Sequence, residues 1–167
     1  MVGQIIIRLR GRGVWKGLRN LCKPLRKYLY GTKELLDVYQ KQVRSVLEMA
    51  VPVWHPAITL QERKQIERIQ KCAFYIILGS NYTCYSDALE MLEIDSLENR
   101  RTKICEKFGK KCLNSPRYSR WFHSKQYNIP THNTRSDKSK LEPVNTRTLR
   151  YKNSAIPYLT ELLNKRK

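Results

Sequence analysis

Acidic side chains are missing from the first thirty residues of this 167-residue chain, and no Asp-Asp pair occurs anywhere in it. Histidine is scarce, with only His55, His123 and His132, and the five cysteines, Cys22, Cys72, Cys84, Cys105 and Cys112, show none of the two-residue spacings of a structural zinc site. A metal centre would need Cys112, His123 and His132 to converge in space, so no cofactor or metal is expected. No glycine-rich phosphate loop follows a strand pattern, and Gly11 and Gly13 stand too near the start to belong to one. No run approaches the ~20 apolar residues of a membrane helix; Ile5 to Ile7 is broken at once by Arg8 and Arg10.

What the chain has instead is positive charge, 33 Lys and Arg against 14 Asp and Glu, for a net +19. The excess is uneven. Residues 1–30 hold eight basic and no acidic side chains, residues 31–99 seven and ten, and residues 100–167 eighteen and four. A near-neutral middle between basic ends suits a packed segment flanked by polyanion-facing segments. Phosphate backbones are the commonest such partner, since a cationic surface gains entropy by releasing condensed counterions. Solubility alone is the plainer alternative. The odd number of cysteines and the absence of a signal peptide point to free thiols in a reducing compartment, nucleus or cytoplasm. Cys105 and Cys112, two helical turns apart, read as small core residues.

The chain divides into a basic lead-in (1–30), a helical domain (31–115) and a basic arm with a short terminal helix (116–167). In the lead-in, Val14, Leu18, Leu21, Leu25 and Leu29 recur at helical spacing among basic residues; Pro24 breaks any single long helix, so a short lead-in helix pair is expected, with an organelle presequence as the alternative. Leu35, Tyr39, Val43, Leu47 and Ala50 then form one stripe, widened by Leu36 and Val46, predicting an amphipathic helix from Thr32 to Ala50 stopped before Pro52. Trp54, His55 and Pro56 form a rigid connector, with Trp54 packing at the helix junction.

Thr59 to Glu62 is a capping box, opening a helix whose apolar face is Ile66, Ile69, Ala73, Phe74, Ile76 and Ile77, and Gly79 can take the left-handed conformation that ends it. Ser86 is a candidate cap for a short helix with Leu89, Met91 and Leu92 that ends near Ile94. Asp95 is a candidate cap for the next, with Glu98 at its third position. On that helix Leu97, Ile104, Cys105, Phe108 and Cys112 share one arc, while Arg100, Lys103, Lys107, Lys110 and Lys111 share the opposite one. Arg101 falls in the centre of the apolar arc and must snorkel or meet an acid from another helix.

After Pro116 a docked turn or short helix containing Tyr118, Trp121 and Phe122 leads into a mobile polar arm, Thr131 to Lys140. Ile156 to Leu163 forms a terminal helix with Pro157 in its first turn. The expected architecture is an orthogonal bundle of four or five helices with a partly disordered basic tail.

Chemistry finds little to work with. The acids mostly suit helix starts, and Glu90 with Glu93 is the only local pair with the look of a site. The candidate nucleic-acid residues are Arg100, Lys103, Lys107, Lys110 and Lys111 for phosphates, joined by Arg117, Arg120 and Trp121, with Tyr118, for stacking beside charge.

A family resemblance rests on several short motifs in order: Ser45-Val46-Leu47-Glu48, Pro52-Val53-Trp54-His55-Pro56, Gln70-Lys71, and Ile76-Ile77-Leu78-Gly79. It continues through Tyr85-Ser86-Asp87-Ala88-Leu89-Glu90, Leu97-Glu98-Asn99-Arg100-Arg101, Phe108 to Leu113, and Asn153 to Leu159. In these the chain resembles the C-terminal, post-palm region of jockey-like non-LTR retrotransposon reverse transcriptases, over roughly residues 32–163 and most strongly over 32–115. Residues 1–17 do not match. Val51 stands where the family often has a cysteine, and Met49 where an aromatic is common.

The resemblance implies thumb-side helices that hold RNA, DNA or an RNA–DNA primer–template duplex by phosphate contacts, beside the rest of a reverse transcriptase. The family's metal-binding aspartates, including a Tyr/Phe-x-Asp-Asp turn, lie upstream of the matching region, so no catalytic residue is expected here. The chain would then be a truncated polymerase remnant retaining at most sequence-nonspecific binding. A non-functional mobile-element remnant is one alternative. The other is a helical protein-interaction module exposing parts of Phe74 to Leu78.

Overall fold

A computed structural model describes residues 31–122 and 141–165. The basic lead-in, His123, His132 and the Thr131 to Lys140 run lie outside the described residues. Within them the chain is mainly α-helical, with eight α-helical segments and no strand, and it forms two compact units. Residues 31–51 and 58–101 make the first, residues 52–57, 102–122 and 141–165 the second.

In the first unit, α1 (Thr32–Val38), a π-helical stretch (Tyr39–Arg44) and α2 (Ser45–Glu48) follow one another without a break. Leu35, Tyr39, Val43 and Leu47 are buried, as their spacing predicts, but Ala50 is exposed. Two local features end the stripe early. Six residues take the wider π turn, and Ser45 donates its hydroxyl to the Lys41 carbonyl, a side-chain bond that competes with the helix ladder. Ala50 itself has left-handed φ of 55°, which closes the helix. Pro52 does not act as a stop. It lies in the first turn of α3 (Val51–Trp54), where its missing N–H costs nothing, and a 3-10 turn (His55–Ala57) follows.

The capping box forms as expected at α4 (Leu60–Leu78): the Glu62 N–H donates to Thr59 Oγ1 (3.3 Å), and the Thr59 N–H donates to the Glu62 carboxylate (2.8 Å). The face of α4 named from periodicity is buried throughout, and Phe74 meets the ring of Tyr39 edge-on at 5.8 Å. At the other end Gly79 adopts φ 60°, ψ −115°, a conformation closed to residues with a Cβ. Replacing Gly79 with alanine is therefore expected to cost about 1–3 kcal/mol, read as a lower urea midpoint at unchanged m-value.

Two caps differ from expectation. The short helix α5 (Tyr85–Met91) is capped by the Cys84 sulfur, which accepts the Asp87 N–H, and not by Ser86. It ends at Met91, short of Ile94, because Glu93 turns left-handed at φ 53°. At α6 (Leu97–Leu113) the Ser96 hydroxyl, and not Asp95, accepts the Asn99 N–H at 3.3 Å. Side chains of α4 fix this register. Gln70 donates to the Asp95 carbonyl (3.2 Å), and the Leu97 N–H donates to Glu67 (3.2 Å), so the helix starts one residue late.

In the second unit the 102–113 part of α6 packs against α8 (Ala155–Lys165). The place where a Cβ would stand on the buried Gly109 is 3.1 Å from Leu163 Cδ1 and 3.6 Å from Leu159 Cδ2. Glycine allows that approach. Cys105 and Cys112 are buried here, as their spacing predicts, and burial pushes the Cys112 thiol upward. Phe108 is not core but 38% exposed, because the buried arc is turned toward Gly109. Trp54 is buried as expected, with His55 set edge-on between it and Tyr158. One helix had no clear signal in sequence: α7 (Leu149–Lys152), capped by the Thr148 hydroxyl on the Tyr151 N–H.

Candidate nucleic-acid interface

Of the eight residues singled out for nucleic acid, Lys103, Lys107, Lys110, Lys111, Arg117, Arg120 and Trp121 lie in the second unit. A helix advances ~100° per residue, so Lys103, Lys107, Lys110 and Lys111 fall within ~100° of arc. All four are exposed. Lys110 is tied to Glu106 at 2.8 Å, whereas Lys107 and Lys111 make no ion pair among the described residues.

The chain leaves this helix through a tight turn, in which the Ser119 N–H donates to the Ser115 carbonyl (2.8 Å), and enters a 3-10 turn (Ser119–Trp121). The turn gathers a cation–aromatic cluster. Arg117 lies over the Tyr118 ring at 5.6 Å, and Tyr118 and Trp121 meet at 4.9 Å with their planes tilted by 51°. Arg120 donates Nε to the Arg117 carbonyl at 3.2 Å, which holds the turn closed. Trp121 remains 41% exposed, so its indole is half open to a flat partner.

Arg100 belongs to the first unit and has a different use. Its Nε and Nη2 both bind the Glu48 carboxylate, and Arg44 approaches the same group at 3.6 Å. Two arginines thus share one half-buried glutamate. Burial, and then the charge of Arg100, hold the Arg44 guanidinium below its ordinary range. Nothing in the spacing of 100, 103 and 107 could reveal a glutamate more than fifty residues earlier.

Arg101 is buried, at 1% exposure, and none of its three guanidinium nitrogens makes a hydrogen bond. Burial lowers its pKa, while Glu67 on α4 and Glu98 on its own helix favour the charge and Arg63 opposes it. Among the described residues Arg101 neither snorkels nor forms an ion pair with an acid of another helix; Glu67 on α4 acts on it only as a nearby charge. Glu67 Oε1 accepts from the Tyr85 hydroxyl and the Leu97 N–H.

The outer face of α4 carries residues that periodicity of apolar positions passes over. Lys64, Arg68, Lys71 and Tyr75 recur at i, i+4, i+7 and i+11 and are all exposed. They were legible as a stripe, but the middle block's slight negative charge hides them.

Phe74, Ile76, Ile77 and Leu78 are buried, and only Tyr75 of that run is exposed, so the run offers no broad apolar docking face. A cleft of about 480 Å³ lies beside α8. Its one carboxylate, Glu161, is paired with Lys165 at 2.7 Å. Glu90 and Glu93 are exposed. Among the described residues no three His, Cys, Asp or Glu side chains gather closely enough to hold a metal ion, and no helix is long and apolar enough to cross a membrane.

Compared with models of known protein families, with curated proteins and with solved structures, the chain matches none.

Proposed function

We propose that this chain is a nucleic-acid-binding module that holds RNA, DNA or an RNA–DNA duplex by its phosphate backbone without reading sequence, and that it performs no catalysis itself. The observation that carries this reading is the exposed face of Lys103, Lys107 and Lys111 leading into the Arg117, Tyr118, Arg120 and Trp121 cluster of the same unit. Point charges on a helix face track phosphates, and an open indole beside arginine suits a base at the end of a strand. The resemblance to the post-palm region of jockey-like reverse transcriptases supports the same reading and supplies an origin, a thumb-side segment of an RNA-directed DNA polymerase whose catalytic aspartates lie outside the matching part. The rest of such a polymerase is then a further partner.

Fluorescence anisotropy with a labelled RNA–DNA duplex over a range of salt concentrations tests it. The logarithm of affinity is expected to fall linearly with the logarithm of salt. Changing Lys103, Lys107 and Lys111 together to glutamine should reduce that slope by about 2–3, at ~0.7–0.9 per phosphate. No measurable binding by the unaltered protein at low salt would overturn the proposal.

A further inference from the structure

We propose that the outer stripe of α4, Lys64, Arg68, Lys71 and Tyr75, is a second binding surface that takes a single strand of nucleic acid. The proposal rests on the nucleic-acid reading above and adds to it a separate surface, on the first unit alone, with a preference for unpaired bases.

The stripe is set by helix geometry. With ~1.5 Å of rise per residue, Lys64, Arg68 and Lys71 stand at steps of about 6 and 4.5 Å along the axis and within ~60° around it, and Tyr75 continues the line by a further ~6 Å. The three cations are exposed and, among the described residues, none is paired with an acid. Several other basic residues of this unit have acid partners within it: Lys41 pairs with Asp37 at 2.7 Å, Arg63 with Glu98 at 3.5 Å, and Arg44 and Arg100 with Glu48. Glu67, the acid within reach on α4, is turned to the Tyr85 hydroxyl and the Leu97 N–H. Asp37, Glu48, Glu67 and Glu98 are thus engaged elsewhere, Glu90 and Glu93 lie off α4, and this stripe keeps its charge.

The aromatic end distinguishes the occupant. Tyr75 is 62% exposed, and Tyr82 meets it edge-on at 5.7 Å with planes at 81°, which fixes the ring while leaving it open. Lys71 is held with its ammonium over the Tyr85 ring at 4.9 Å, so this cation is positioned before any ligand arrives. A row of cations on one helix face ending in a fixed open ring fits a strand whose backbone follows the cations and whose end base stacks on Tyr75. Inside a duplex the bases are stacked on both sides, so only its terminal pairs have a face to offer. A protein partner would meet a single tyrosine pair, two strongly hydrated ammonium groups and a guanidinium, with little apolar area to bury.

The test uses the full chain and labelled oligonucleotides, a mixed-sequence single-stranded RNA and a long blunt-ended duplex, by anisotropy across salt concentrations. Changing Lys64, Arg68 and Lys71 together to glutamine is expected to lower the single-strand salt slope by about 2, at ~0.7 per phosphate. Tyr75→Ala should weaken single-strand binding about tenfold and leave the duplex unchanged, whereas Tyr75→Phe should keep single-strand affinity. Unchanged helical circular dichroism shows that these exposed substitutions leave the fold alone. Wild-type affinity and slope in both the triple variant and Tyr75→Ala would overturn this surface while the α6 reading stands, since that reading is scored on Lys103, Lys107 and Lys111. Equal loss on strand and duplex in Tyr75→Ala would overturn the strand preference. Failure of the unaltered protein to bind any nucleic acid, or binding only to an acidic peptide, would overturn both readings.

Discussion

Alanine at position 101 is expected to cost the protein about 3–5 kcal/mol, and methionine at the same position about 1 kcal/mol or less. The side chain is 1% exposed, so truncation opens a cavity in the first unit. It also removes the cation whose charge Glu67 feels, leaving a carboxylate whose Oε2 already has no hydrogen bond. Methionine fills nearly the same volume. It also removes the cost of keeping a guanidinium dry with Nε, Nη1 and Nη2 all unbonded, which offsets the lost attraction to Glu67. Urea midpoints for the two variants decide between packing and charge. Equal large losses would make the attraction to the nearby Glu67 charge dominant, and an unchanged alanine variant would place Arg101 at the surface in solution.

Stability is expected to fall by about 1–2 kcal/mol between pH 10 and pH 11, with two tyrosines as the cause. Burial pushes the Tyr39 phenol well above the ordinary tyrosine range, reinforced by Glu67 and Glu48 against Arg44 and Arg100. Burial also raises Tyr85, followed by the hydrogen bond it donates to Glu67. Both folded-state pKa values are raised, so their contribution is fully present below the unfolded value of ~10 and is lost as pH rises through the folded ones. Between the unfolded and folded values only the unfolded chain releases these protons, and each tyrosine adds a slope of up to about −1.4 kcal/mol per pH unit. Tyr85 is the less buried and contributes less. Tyr39→Phe isolates one of them. The Tyr39 hydroxyl has no hydrogen-bond partner, so its removal should be nearly neutral at pH 7 and should flatten the alkaline slope by about half or more. An alkaline slope identical to wild type would remove Tyr39 from the explanation.

Local signals in the sequence translated well where one segment decides its own structure. The capping box at Thr59 and Glu62, the buried face of α4, the glycine stop at Gly79 and the first-turn Pro157 all follow from neighbouring residues. Signals failed where a distant group decides. The cap of α6 moved to Ser96 because Gln70 and Glu67 hold the two residues around it. Arg100 left the phosphate face for Glu48, and Phe108 yielded the core position to Gly109 because leucines of α8 press there. The candidate interface was half legible. Lysines at helical spacing show themselves, but whether each has an internal acid depends on folds of chain far away. Averaging charge over a long block hid the α4 stripe for the same reason.

The glycine seat at position 109 also bears on the order of events in folding. Its partners Leu159 and Leu163 follow it by about fifty residues, so this face of α6 stays uncovered until the segment carrying them has been made and brought back. Closing a loop of that length costs about 3.5 kcal/mol in chain entropy beyond a constant, before any packing is gained. The first unit can complete its contacts earlier, because all of it, up to Arg101, is made before Leu159 and Leu163. A newly made chain would therefore pass through a stage in which the α4 side is formed while the groove at Gly109 is still open, and that open groove is where self-association would begin.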